Sequence, residues 1–130
     1  MFVDTSVVIA ILAAEDDAAH WAGVLENAPV CITSALVVLE AVMRLSTKLA
    51  VEPLEVDRIV RAFLQAAAIE VVAIDGLDGK VAVEAFSRYG KGRGHSAQLN
   101  LADCLSYACA RNSDMRLLYK GNDFRQTDMA

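Results

Sequence analysis

The chain has few of the residues that punctuate or staple a small protein. Its two prolines, Pro29 and Pro53, and seven mostly scattered glycines leave no linker, and there is no repeat or low-complexity tract to divide it. With 130 residues and 55% hydrophobic content, one core and a single domain over residues 1–130 are expected. The three cysteines, Cys31, Cys104 and Cys109, are odd in number and lack metal-binding spacing, which argues against a disulfide framework or a zinc knuckle. Cys104 and Cys109, five apart, would point to different sides of a helix, so buried small hydrophobes are the expected role. The two histidines, His20 and His95, stand far apart without a ligand-spaced partner, which disfavours zinc again. Positive charge is also in deficit: twelve Lys and Arg against seventeen Asp and Glu give a net charge of −5. That excludes a globally basic nucleic-acid coat but leaves room for a local basic patch. The one long apolar run ends at Glu15, short of the roughly 18 residues a membrane span needs, and no Lys or Arg precedes it as in a signal peptide. A soluble, cytoplasmic protein without a membrane partner is expected.

What is present alternates between short apolar strands and amphipathic helices. Phe2 to Asp4 reads as a strand, with Thr5 or Ser6 capping a short helix, and "EDDAAHWAGVLENA" as a second helix with Trp21 and Leu25 on one face. Val30 to Thr33 has strand composition; Ser34 then caps a long helix through about Leu49, and Pro53 starts "PLEVDRIVRAFLQAAAI". Glu70 to Ile74 is a third strand, Leu77 to Tyr89 a helix, "YGKGRGHSAQLN" a loop, Leu101 to about Asn112 a helix, and Arg116 to Tyr119 a last strand before a turn at "KGND". Parallel strands need helical crossovers, so the pattern predicts an α/β, doubly wound parallel sheet of about four to five strands flanked by helices.

In such sheets ligands bind beyond the carboxyl ends of the strands, so acids placed there are candidates. Four qualify: Asp4 after the first strand, Glu40 on the helix after the second, Asp103 in the first turn of the helix after Asn100, and Asp123 after the last strand. Each has a bland alternative. Glu40 and Arg44 form an i,i+4 pair, Asp103 and Asn100 resemble a capping box, and Asp123 suits an Asx turn. Against these, Glu40 is embedded in the apolar "ALVVLEAVMRL", and Asp4 has no cap or pair evident in its own segment. Two like charges about 4 Å apart repel by about 4 kcal/mol at an effective dielectric of 20, so converging acids call for a cation. Oxygen-only ligands suit magnesium or manganese, which support phosphodiester hydrolysis by an activated water without a histidine base or protein nucleophile.

Four segments, "FVDTSVVIAIL", "TSALVVLEAVMRL", "LNLADCLSYACAR" and "LLYKGNDFRQTDM", resemble in order and spacing the PIN-domain ribonuclease toxins of VapC type from bacterial toxin–antitoxin pairs. The resemblance spans essentially the whole chain. It implies that Asp4, Glu40 and Asp103 are catalytic metal ligands for magnesium or manganese, with Thr5 supporting the first and Asn100 preceding the third. Many members carry their fourth acid in a T-G-D-like turn, whereas "YKGNDF" places Gly121 and Asn122 before Asp123. Asp123 is taken as the fourth ligand, with Asn122 as a neutral helper; Asp114 precedes the last strand and is set aside, and Asp128 is held in reserve. The resemblance further implies metal-dependent cleavage of RNA at a tRNA, rRNA or mRNA site, leaving a 5′-phosphate and a 3′-hydroxyl. It also implies a homodimer and a cognate antitoxin that lies along a helical groove and often inserts an arginine among the acids.

Lys91, Arg93 and His95 on the glycine-rich loop, together with Arg44, are candidate RNA-phosphate contacts; the alternative for the loop is a solvated, mobile segment. A P-loop is excluded for want of its motif. A receiver-type magnesium-binding signalling domain would need paired acids after the first strand and a phosphoacceptor Asp after the third, where Asp75 is followed by "GLDGK" without the matching lysine strand. A D-x-D phosphohydrolase fails because Ser6 stands at the second position, and a non-catalytic binding module leaves Asp4 and Glu40 unexplained.

Overall fold

The computed structural model describes residues 1–130. Four short strands form one parallel sheet in the order β3-β2-β1-β4. They are β1 (Phe2–Val3), β2 (Cys31–Ser34), β3 (Ile69–Val72) and β4 (Leu117–Leu118). Six helices make the crossovers: α1 (Thr5–Leu12) and α2 (Ala18–Asn27) join β1 to β2, α3 (Ala35–Leu49) and α4 (Pro53–Ala66) join β2 to β3, and α5 (Gly76–Tyr89) and α6 (Leu101–Asn112) join β3 to β4. The expected α/β sheet is therefore present, with four strands.

The interior strands β1 and β2 are buried throughout, as a sheet covered on both faces requires, while edge strand β3 exposes Glu70 and Val71. The buried Thr33 hydroxyl donates to the Val3 carbonyl at 2.8 Å, which ties the two interior strands and leaves no orphaned polar group there. Helix α3 buries Val37, Val38, Ala41, Val42 and Leu45 at helical spacing, and its cap is the expected Ser34, whose hydroxyl accepts from the Val37 N–H. Helix α4 starts at Pro53 and buries Val56, Val60 and Leu64, with the pairs Glu55–Arg58 and Asp57–Arg61 on its wet face.

Several boundaries differ from the sequence-based expectation. The helix from Pro53 stops at Ala66, and the third strand begins at Ile69 instead of Glu70, because Ala68 adopts the left-handed φ of 54° that breaks the helix. The first strand stops at Val3: Asp4 is already the N-cap of α1, so neither Thr5 nor Ser6 is the cap. All three cysteines are free and buried, as expected.

The strand order has one consequence for the site. The chain moves outward from β1 to β2 to β3, then returns to place β4 on the other side of β1. The winding reverses between β1 and β4, and in open α/β sheets the ligand crevice lies at the carboxyl end of such a reversal. Asp4 follows β1 there, and the turn bearing Asp123 follows β4.

Candidate active site

Asp4 is buried, yet it is not alone in its segment as the sequence suggested. One of its oxygens accepts from the Ser6 backbone N–H at 3.0 Å and from the Ser6 hydroxyl at 2.7 Å. Those bonds cap α1 and hold the carboxylate at the strand end. The Ser6 hydroxyl in turn accepts from the Lys120 N–H at 2.9 Å, a link across 114 positions that joins the first acid to the turn after β4. Thr5 is fully buried and its hydroxyl has no hydrogen-bond partner, so the residue that holds Asp4 is Ser6.

Asp103 and Asn100 form a full capping box. Asn100 Oδ1 accepts from the Asp103 N–H at 2.9 Å, and Asp103 Oδ2 accepts from the Asn100 N–H at 3.0 Å. The bland reading of this pair is thus correct as far as it goes, but it uses only one carboxylate oxygen. Burial pushes Asp103 up to about 7; the Asn100 N–H opposes the rise, and the charges of Asp123, Asp4 and Glu40 add to it. Acids from three other elements are therefore within Coulombic reach of Asp103.

Glu40 is half-buried on α3 and makes no hydrogen bond or ion pair; the i,i+4 pair with Arg44 does not form. Asp123 is exposed in the turn after β4, and its carboxylate has no partner, so an Asx turn does not account for it. Asn122 beside it is exposed, and its carbonyl accepts from the Arg125 N–H at 3.1 Å. No three His, Cys, Asp or Glu side chains stand close enough to hold a metal ion as they are. Mutual repulsion favours such spacing among unneutralised carboxylates.

The donor set nevertheless fits a hard divalent cation. It offers carboxylate oxygens only, one of them raised towards neutral pH by burial among like charges, and an unpartnered buried hydroxyl at Thr5 beside the first acid. Asp4, Glu40, Asp103 and Asp123 are the residues that could hold it.

The remaining candidates fall elsewhere. Asp128 binds Arg111 at 2.8 Å and accepts from the Tyr107 hydroxyl at 2.8 Å, with Arg88 at 3.8 Å, so it pins the C-terminal segment and is no spare ligand. Asp114 sits in the left-handed turn between α6 and β4, before the strand, as expected. Asp75 caps α5 in a second capping box with Asp78, which leaves no free acid of the receiver type after β3.

The glycine-rich loop is pinned. Gly90 and Leu99 form a bridge, the Lys91 N–H donates to the Leu99 carbonyl at 2.9 Å, and His95 Nδ1 accepts from the Ala97 N–H at 3.0 Å. Its side chains engage α5: the His95 ring meets Tyr89 edge-on and Arg93 lies over Phe86. Lys91 lines the α5–α6 side with Asn100. Arg44 is exposed on α3 and shares a groove with Ser6. Sequence reasoning missed Lys120, whose Nζ binds Glu15 at 3.1 Å and Asp17 at 2.9 Å, because nothing local in "YKGND" signals partners more than a hundred residues away.

Residues 1–129 match the PIN domain family. The chain is 41% identical to a VapC ribonuclease of Rhizobium meliloti, covering 98% of each, and 41% identical to ribonuclease VapC28 of Mycobacterium tuberculosis, covering 98% of this chain and 93% of that one. Its fold is similar to that of M. tuberculosis VapC20, a sarcin-ricin loop cleaving toxin, with a TM-score of 0.74 at 19% identity over 95% of this chain and 92% of that one. It is also similar to a toxin–antitoxin complex from Klebsiella pneumoniae, with a TM-score of 0.72 at 16% identity over 98% and 92%.

Proposed function

This chain belongs to the PIN-domain family and, within it, to the VapC ribonuclease toxins of toxin–antitoxin systems, and from that premise we propose that it hydrolyses RNA at Asp4, Glu40, Asp103 and Asp123 with magnesium or manganese as cofactor. The observation that carries the site is the position of Asp103, buried and raised to about 7 among the charges of the other three acids. A cluster of that kind is costly unless a cation joins it.

Bound there, magnesium or manganese supplies the activation of a water for attack on phosphorus and offsets the charge of the phosphodiester. The chain's residues fix where this happens. Ser6 holds Asp4 through two hydrogen bonds, and the capping box orients Asp103 while its Oδ1 accepts no hydrogen bond. Glu40 on α3 and Asp123 in the turn after β4, both without partners, would complete the set. Water adds to phosphorus, the bond to the 3′ oxygen breaks, and that oxygen takes a proton, which leaves a 5′-phosphate and a 3′-hydroxyl.

A cognate antitoxin and a second copy of the chain are the proposed partners. Large apolar side chains are exposed on α3 and α4, at Leu39, Met43, Leu54 and Ile59, and again on α5 and α6, at Leu77, Val83, Phe86 and Leu101. Val83, Phe86 and Leu101 line an apolar groove of about 540 Å3 between α5 and α6. Exposed apolar side chains rimmed by polar ones are what a protein partner would cover.

The test is cleavage of total RNA by the wild type and by Asp4→Ala, each in magnesium and in chelator. Wild type in magnesium should cut and the other three conditions should not. Cutting that survives both the substitution and the chelator would sink the mechanism. Sequencing of the cut ends identifies the RNA, with tRNA and rRNA as the first classes to inspect.

A further inference from the structure

Between α3, α1 and the turn after β4 runs an open groove of about 690 Å3. Arg44, Thr47, Lys48 and Lys120 line it, and it is bordered by Ser6, whose hydroxyl holds Asp4, and by Gly121, two residues before Asp123. The groove therefore runs up to the residue that holds Asp4 and to the turn that carries Asp123. In a chain of net charge −5, three cations on one concave surface are a local reversal of sign.

Two acids meet them: Asp17 binds Lys120 Nζ at 2.9 Å from outside the groove, and Glu15 reaches in between two of the cations. Glu15 lies 3.1 Å from Lys120 Nζ and 3.7 Å from Lys48 Nζ, an anionic oxygen acceptor shared between two ammonium groups. Lys48 is half exposed, and pairs of this kind are weak and readily exchanged. Arg44, exposed on the same helix, has no ion pair, so its planar fork is free for a phosphate.

Resting on the reading of the acids as an RNA-cleaving centre, we propose that this groove seats the RNA backbone beside the scissile phosphate. A flanking phosphate takes the place of Glu15 between Lys48 and Lys120, and Arg44 contacts the same strand. Glu15 is then an internal competitor that holds Lys48 and, together with Asp17, Lys120 when no RNA is bound. The recognition is of backbone charge and carries no base preference.

Binding of a fluorescein-labelled single-stranded RNA oligonucleotide, measured in chelator across a range of salt, tests this for wild type, for Arg44→Gln/Lys48→Gln and for Glu15→Gln. Each phosphate contact contributes about 0.7 to the slope of log affinity against log salt on a single strand, so the double variant should lose about 1.4 in slope and bind roughly tenfold more weakly. Glu15→Gln should bind several-fold more tightly. Arg44 and Lys48 are exposed, and a rise in Tm on adding magnesium to the double variant shows that its fold and acids remain in order. Affinity and salt slope equal to wild type in the double variant would overturn the groove, and a Glu15→Gln protein that binds no more tightly would overturn the exchange of Glu15 for phosphate. A wild-type protein that binds RNA through Arg44 and Lys48 but cuts none in magnesium would instead keep the groove and overturn the reading of the acids.

Discussion

Asp103 has two duties that pull in opposite directions. Its Oδ2 accepts the Asn100 N–H and starts α6, which favours the ionised form, while its burial among Asp123, Asp4 and Glu40 pushes it up to about 7. An acid whose folded pKa exceeds its unfolded value of 3.8 contributes most to stability when protonated. As pH rises from about 4 to about 7 the unfolded chain ionises first, so the metal-free protein loses stability across that window, with the loss complete above about 7. Each tenfold change in proton affinity between the folded and unfolded chain is worth about 1.4 kcal/mol, and with solvent reaching the site a net effect on the order of 2 kcal/mol is expected. Asp103→Asn keeps an oxygen for the Asn100 N–H and removes the charge. In chelator at neutral pH its Tm should exceed that of wild type by several degrees and vary less between about pH 4 and 7. Magnesium should raise the wild-type Tm far more than that of Asp103→Asn, and an equal response in both would count against the site.

At the scale of elements, the segment after β4 decides whether Asp123 takes part. It is held at two places by different means. Near the site, the Lys120 N–H donates to Ser6 and Gly121 turns the chain with a φ of 104°, a conformation that a β-carbon strains even though open space surrounds it. Farther on, Asp128 binds Arg111 and Tyr107 on α6. The two anchors predict different phenotypes. Gly121→Ala should strain the turn by roughly 1–2 kcal/mol and weaken the magnesium-induced rise in Tm, because Asp123 moves with the turn. Asp128→Asn, at a partly exposed pair, should cost less than about 1 kcal/mol and leave the magnesium response intact. Melting curves of both variants with and without magnesium measure this. A lost magnesium response in Asp128→Asn would return that residue to the ligand set.

At the scale of the whole molecule, the core makes a prediction independent of function. Cys31, Cys104 and Cys109 are all buried, and burial pushes the Cys109 thiol up to about 11. Native protein should resist a thiol reagent and take up three equivalents per chain once denatured, as mass spectrometry would read; rapid native labelling would contradict the packing. Much of this architecture was legible in one dimension. Alternating short apolar runs and amphipathic segments determined a parallel α/β sheet, Ser34 and Pro53 determined where two helices begin, and an acid standing after each relevant strand marked Asp4 and Asp123 as candidates. These features are local: propensity, capping and periodicity act within a few residues. Other features depend on contacts that no window along the chain contains. Only the order β3-β2-β1-β4 puts the ends of β1 and β4 side by side, only folding joins Ser6 to Lys120 across 114 positions, and only packing turns Asp128 into a clamp on α6. Folding also decided that Glu40 would have no ion pair with Arg44, because that outcome depends on where side chains point once the helices pack, whereas the bonds from Ser6 to Asp4 are local capping that the sequence already held. The acids were written in the sequence; the repulsion that Asp123, Asp4 and Glu40 exert on Asp103 exists only where the tertiary structure brings them within reach of it.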